Sequence, residues 1–302
     1  MKIIDIKGKS QADPYVIKSG GKFYLYCTGI EGVECYESDR LKDGWTYAGT
    51  VLKTEGQKEY WAPSVIEEDG KFYMYYSSMP EDTEDVHLQN IKVAVSDSAT
   101  GAFVFVKDLL PPFSIDAHVV RNECGLFMFY CVNDYDGERA GTYIVCDKMT
   151  DLLTMAGEPR ATVVPTSDEE IFERDRFKKG QHWHTVEGAF YFKKDGYHYC
   201  MYSGNCYMKP SYHIGYAVCK SASGELNKLD FVKAEKPGVF APLITADGRE
   251  TSTGHNSVIE DGGVLYAVYH GRDYENGGFS KYRTARICRL YAENGILGAE
   301  KI

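Results

Sequence analysis

Asp13, Asp116, Glu187 and His255 stand out among the proton-exchanging residues of this 302-residue chain, because each heads a copy of one short pattern. A fifth copy is headed by Ala62. In every copy the heading residue is followed three positions later by Val or Phe and then by another apolar residue. Some 8 or 9 positions after the heading residue a Gly (Gly21, Gly70, Gly125, Gly196, Gly263) opens an aromatic run. If the units are equivalent, their heading residues occupy equivalent places. Three carboxylates and a histidine then converge on one axis, and carboxylates that take up and release protons beside an imidazole are the makings of an active site.

The elements that must position these residues are β-hairpins. Each copy has a β-rich strand, a turn rich in Gly, Asp and Lys, and an aromatic second strand. Third-strand candidates follow at Val33–Glu37, Ile91–Ser96, Thr142–Cys146, Ile214–Cys219 and Thr284–Leu290. Every unit thus supplies three or four antiparallel strands, and self-similarity at roughly 50–70 residues suits stacked or radial units. The held register favours radial closure over a linear solenoid. The expected architecture is all-β, a five-bladed β-propeller spanning 1–302 as a single catalytic domain. The span from Asp151 to His184 is least regular, with Asp168, Glu169 and Glu170 followed by Arg174, Arg176, Lys178 and Lys179. It reads as an excursion between blades near the central mouth, or as a solvated charge run.

The formal charge of −10 argues against nucleic acid as partner. No stretch approaches a membrane span, and Met1–Gly8 lacks the apolar core of a secretory signal. Of the nine Cys, several sit in expected strands as small hydrophobes, and none forms a zinc-type spacing. Reduced thiols and a cytoplasmic address follow as expectations. The 24 Tyr suit packing between sheets as well as a carbohydrate-facing wall.

Ala12-Asp13-Pro14, Trp61-Ala62-Pro63-Ser64, Ile115-Asp116, Val186-Glu187-Gly188 and Gly254-His255-Asn256-Ser257, in that order and each heading a repeat, resemble glycoside hydrolase family 43. The likeness covers nearly the whole chain. It implies a five-bladed propeller and an inverting glycosidase of arabinan and arabinoxylan fragments. In it Asp13 is the general base, Glu187 the general acid, and Asp116 orients and tunes the acid. The same division follows from the chemistry, since inversion needs one carboxylate to activate water and an opposed acid to protonate the leaving oxygen. A nearby negative charge would keep that acid protonated near neutral pH. Trp61 beside Ala62 is implied as a wall and floor for the sugar, and one of Arg272, Arg283 and Arg286 as a contact to its hydroxyls. His255 is implied as a central-channel residue, in some members near a calcium ion held through water; otherwise it is a packed, hydrogen-bonded residue. Calcium prefers oxygen ligands, and one imidazole is a thin basis for it.

The chain also departs from the family pattern. Ala117-His118 follows Asp116, and Ala189-Phe190 follows Glu187-Gly188, at places where many members have Pro. No C-terminal β-sandwich is expected. The reading is a cytoplasmic, exo-acting glycosidase with β-xylosidase and/or α-L-arabinofuranosidase activity, its partner a short oligosaccharide and its oligomeric state undetermined. The alternatives are a non-catalytic sugar-binding propeller, or a related enzyme acting on fructosides by retention or on mannosides by phosphorolysis.

Overall fold

The computed structural model describes residues 1–6, 8–234 and 240–302. All five patterned segments form antiparallel hairpins. They are Ala12–Ser19 with Lys22–Thr28, Gln57–Glu68 with Lys71–Pro80, Ile115–Asn122 with Gly125–Asp134, Trp183–Lys194 with Tyr197–Gly204, and Thr251–Asp261 with Val264–Arg272. Four of the turns place both central residues at positive φ: Gly20-Gly21, Asp69-Gly70, Asp195-Gly196 and Gly262-Gly263. That is the type I′ geometry, whose twist matches the flanking strands.

The expected third strands are present and somewhat longer, at Val33–Ser38, Asn90–Ser96, Gly141–Asp151, His213–Lys220 and Thr284–Glu293. A fourth strand completes each unit: Thr46–Leu52, Val104–Asp108, Arg160–Val163, Val232–Lys233 and Ile296–Lys301. The all-β expectation therefore holds as five four-stranded antiparallel units. The third and fourth are joined where Gly141 and Thr142 run parallel to His184 and Thr185.

Apolar side chains alternate along these strands and fill the seams between units. Val33, Tyr60 and Met74 pack between the first and second units, and Val93, Val119 and Met128 between the second and third. Phe129, Val186 and Cys200 join the third to the fourth, and Met201, Ile214 and Tyr269 the fourth to the fifth. A remaining cluster joins the fifth unit to the first through Val16, Leu25, Val268 and Ile287. The N-terminal residues reinforce that last seam. Ile3 donates to the Ala285 carbonyl at 2.9 Å, and Gln11 to that of Arg283 at 2.7 Å. Thirteen of the 24 tyrosines, Tyr26, Tyr75 and Tyr202 among them, are buried, so more than half of the Tyr content is packing.

The segment 151–184 runs between the third and fourth units, as expected, and is more regular than its sequence suggests. Thr154–Met155 and Arg160–Val163 extend the third unit, and Ile171–Glu173 pairs with Trp183 and His184 of the fourth. Its basic residues lie apart from the carboxylates. Lys178 and Lys179 line a separate cavity with Arg139 and His184, and Arg176 stacks against Phe172, Phe177 and Trp183. Pairing along the unit edges accounts for part of the chain length spent here. No helix among the described residues is long and apolar enough to cross a membrane.

The seam between the last and first units gives a stability prediction. Ile287 is 0% exposed and Ile296 is 70% exposed. Ile287→Ala should cost about 2–5 kcal/mol, whereas Ile296→Ala should stay within about 0.5 kcal/mol. Urea unfolding midpoints check this, and equal effects would contradict it.

Candidate active site

Each first strand carries an irregularity in its pairing. Ala12 pairs with Thr28 and the next partner is Tyr15 with Tyr26; Trp61 pairs with Ser77, then Ser64 with Tyr75. Ile115, Glu187 and Gly254 are the last paired residues before the same irregularity in the third, fourth and fifth units. The residue just after that pair is left-handed in every unit: Asp13 (φ 53°), Ala62 (43°), Asp116 (59°), Gly188 (64°) and His255 (46°). A side chain in that conformation costs roughly 1–2 kcal/mol per L-residue, and such strain collects at functional sites.

This register corrects one expectation. The fourth-unit counterpart of Asp13 is Gly188, and Glu187 is instead the counterpart of Ala12, Trp61, Ile115 and Gly254. The reason is steric. A Cβ at position 188 would sit 3.1 Å from Cγ and Nδ1 of His255, so the fifth unit's imidazole occupies the room that a fourth-unit side chain would need. The acid side chain enters one residue earlier, and the carboxylates still meet. Asp13, Asp116, Glu187 and His255 line one cavity of about 580 Å3.

Asp13 is anchored on all sides. Its Oδ2 accepts from the Thr28 hydroxyl at 2.6 Å, and its Oδ1 lies 3.1 Å from Nη1 of Arg283 and 3.4 Å from Nδ1 of His255. Its backbone N–H donates to Nδ1 of His270 at 3.1 Å. Burial alone would raise its pKa, but Arg283, His255 and His270 outweigh that and hold the carboxyl well below the usual range. His270 itself is pushed down to about 3 by burial, and so is neutral.

The other two carboxyls go the opposite way. Burial pushes Glu187 up to about 7; the Tyr212 hydroxyl, donating to Oε1 at 2.7 Å, pulls it down, while Asp13 pushes it further up. Burial likewise raises Asp116 to about 7, opposed by His255 and assisted by Glu187 and Asp13. Asp116 Oδ2 accepts the Gly188 N–H at 3.0 Å, fixing the peptide that follows Glu187. Burial leads for both groups, and Asp116 and Glu187 repel one another across the cavity, with Asp13 adding to the effect on each.

Other expected residues divide. Trp61 lines the cavity and donates its ring N–H to Glu59 at 2.9 Å. Ala62 is buried, and serves through its N–H, which donates to the Thr28 hydroxyl at 2.9 Å. Of the three arginines, Arg283 reaches the cavity. Arg272 instead donates to the carbonyls of Ser280 and Lys281, and Arg286 pairs with Glu250 and Asp273. Both are committed to holding the chain around the fifth unit.

His255 is the residue expected beside a calcium ion. Its Nδ1 faces Asp13 at 3.4 Å and Asp116 at 4.0 Å, and those carboxyls already serve Arg283 and the Gly188 amide. Among the described residues, no group of three or more His, Cys, Asp or Glu is arranged to hold a metal ion. His255 acts here as a spacer between the first, third and fourth units.

Sequence reasoning missed Tyr212, His270, Thr28 and Tyr207. Tyr212 and Tyr207 lie outside the repeats, and Thr28 and His270 lie at the far ends of second strands, where the pattern has no polar marker. Gly254 is the one indirect signal: a Cβ there would lie 1.7 Å from the Tyr212 ring.

Comparison with known proteins covers nearly the whole chain. The family model described as "Glycosyl hydrolases family 43" matches residues 6–297. The crystal structure of a thermostable family-43 glycoside hydrolase superposes with a TM-score of 0.82 at 31% identity, covering 100% of this chain and 96% of that one. A Neosartorya fischeri protein named "probable arabinan endo-1,5-alpha-L-arabinosidase A" is 24% identical over 285 residues, 88% of this chain and 76% of that protein. An Aspergillus clavatus protein named as the corresponding arabinosidase C is 35% identical over 92 residues, and the match spans only 27% of that protein's length. An extracellular exo-α-(1→5)-L-arabinofuranosidase of Streptomyces avermitilis is 23% identical over 288 residues, 89% of this chain and 56% of that protein.

The two arginines should separate by experiment. Arg283→Ala should raise the Asp13 pKa, read by carboxyl NMR titration, because the cation holding it down is gone. Arg286→Ala should leave that titration in place and cost stability by about 1.5–3 kcal/mol, as for a lost bond to a charged group. The reverse pattern would overturn the assignment.

Proposed function

We propose that this chain, which belongs to glycosyl hydrolase family 43, is an inverting exo-glycosidase that releases a terminal pentose from short oligosaccharides. The observation carrying this reading is the opposite displacement of two carboxyls on one cavity: Asp13 is held well below the usual carboxylate range and Glu187 is pushed up to about 7. A base and an acid on one cavity are what single displacement at an anomeric carbon requires. Five units whose seams run from first to last support a five-bladed propeller as the frame.

In this mechanism Glu187 protonates the glycosidic oxygen as the bond to the anomeric carbon breaks. Asp13 takes a proton from a water that attacks the opposite face. Asp116 acts through the Gly188 amide to aim Glu187, and is a positioning residue. Arg283 neutralises Asp13 and, facing the cavity, can reach sugar hydroxyls; Trp61 and Tyr207 offer ring faces to the apolar side of the sugar. The names of the relatives support a pentose, with arabinofuranose and xylose as the candidates. The free cysteines support a reducing, cytoplasmic setting and imported oligosaccharides as substrate.

Hydrolysis of aryl β-D-xylopyranoside and aryl α-L-arabinofuranoside tests this directly. Glu187→Gln and Asp13→Asn should each lower turnover by at least about 100-fold without unfolding the chain. Near-wild-type rates in either variant would reject its role. On longer arabino- or xylo-oligosaccharides, monomer should be the first product; a ladder of intermediate lengths would favour the endo-arabinanase reading that the fungal relatives' names suggest.

The alkaline limb of kcat/KM should fall through about pH 7, where Glu187 loses its proton, while the acidic limb should lie well below pH 4. A profile rising through pH 7 would contradict the assignment. EDTA should leave the rate unchanged; a loss restored by calcium would reinstate a metal at His255.

A further inference from the structure

We propose that Tyr212 is a positioning residue that assigns the transferable proton to one oxygen of Glu187, Oε2, by occupying the other. The inference rests on Glu187 being the general acid. The Tyr212 hydroxyl donates to Oε1 at 2.7 Å. A protonated carboxyl has one carbonyl oxygen and one O–H. A hydroxyl donor facing Oε1 makes that oxygen the acceptor, so the proton resides on Oε2. In the step itself the Oε2–H bond breaks as the proton joins the glycosidic oxygen. The C–O bond breaks with its electron pair staying on that leaving oxygen, and Glu187 becomes a carboxylate. The Tyr212 bond then becomes charge-assisted, and such bonds are stronger than neutral ones. It therefore strengthens as the acid gives up its proton.

The hydroxyl can do this because its ring is immobilised. Tyr212 is 1% exposed, and its ring lies flat against His270, with centroids 5.7 Å apart and planes 14° from parallel. The ring fits only beside a glycine, since a Cβ at position 254 would be 1.7 Å from its Cε1. On the other side of the stack, Nδ1 of His270 accepts the Asp13 N–H. One stack of two rings thus holds the hydroxyl on the acid and the peptide of the base. Gly254 occupies the same register position as Glu187, so the fifth unit gives up a side chain where the fourth supplies the acid.

Tyr212→Phe removes the hydroxyl and keeps the ring, so the stack and the glycine cavity remain filled. The test compares kcat/KM for a dinitrophenyl pentoside, whose leaving group needs little protonation, with that for an unactivated alkyl pentoside. Glu187→Ala is measured in parallel. The expected result is that Tyr212→Phe shifts the ratio of the two values against the alkyl substrate by about tenfold, the scale of one hydrogen bond to a charged group. The alkaline limb should also move to higher pH, because the hydroxyl no longer favours the carboxylate. An equal loss on both substrates, or no loss on either, would overturn the role of Tyr212, provided Glu187→Ala is itself selective against the alkyl substrate. If Glu187→Ala shows no such selectivity, the general-acid assignment fails first and the proposal falls with it.

Discussion

Three carboxyls around one cavity cannot all be ionised at neutral pH, because burial and mutual repulsion both penalise a second and third negative charge. The arrangement of cations and donors decides which one carries it. Arg283 and the Thr28 hydroxyl reach Asp13, and two histidines stand beside it. Glu187 and Asp116 keep protons that the unfolded chain would release at their ordinary values of 4.5 and 3.8. The linkage has a definite sign. Retaining those protons favours the folded chain fully below about pH 4, and that contribution is lost as pH rises through about 7. Asp13 behaves oppositely: its contribution is present above its ordinary 3.8 and is lost on acidification through its depressed value. The site divides its charge at some cost to stability in neutral solution, and the proposed roles of base and acid follow from that division.

The fold carries this division through one repeated local device. Each first strand carries a left-handed residue at its pairing irregularity, and the five units use that position differently. Asp13 and Asp116 place carboxyls there and His255 a ring. Ala62 places almost nothing there, and Gly188 leaves the space to His255. Unlike residues in one structural position let a repeated frame hold an asymmetric site. Seams packed with Val, Phe and Tyr hold the units together, and the N-terminal strand ends tie the last unit to the first.

Much of this was legible in the chain. The hairpins, the third strands and the four chemically distinct heading residues follow from alternation, turn glycines and spacing, all of which are local. Glu187 was found, but its place in the register was not. The pattern aligns Glu187 with Asp13 by polarity, while the backbone aligns Gly188 with Asp13, and the tight space beside Gly188 is taken by His255, a residue 67 positions later in the chain (255 − 188). The choice among Arg272, Arg283 and Arg286 was closed to sequence for a related reason. All three are cationic and near one another in the chain, and only the alternation of strand faces and the partners Glu250 and Asp273 separate them. Tyr212 and His270 meet only in three dimensions, and no local motif announces either.

The most direct measurement of the central claim is the configuration of the sugar at the moment of release. Proton NMR during the first turnovers on an aryl β-D-xylopyranoside or aryl α-L-arabinofuranoside resolves the nascent anomer before it equilibrates. With Asp13 activating water and Glu187 protonating the leaving oxygen, the product should appear first with the anomeric configuration opposite to that of the substrate. Appearance of the same configuration would mean a covalent intermediate on one of these carboxylates, and would contradict the division of base and acid.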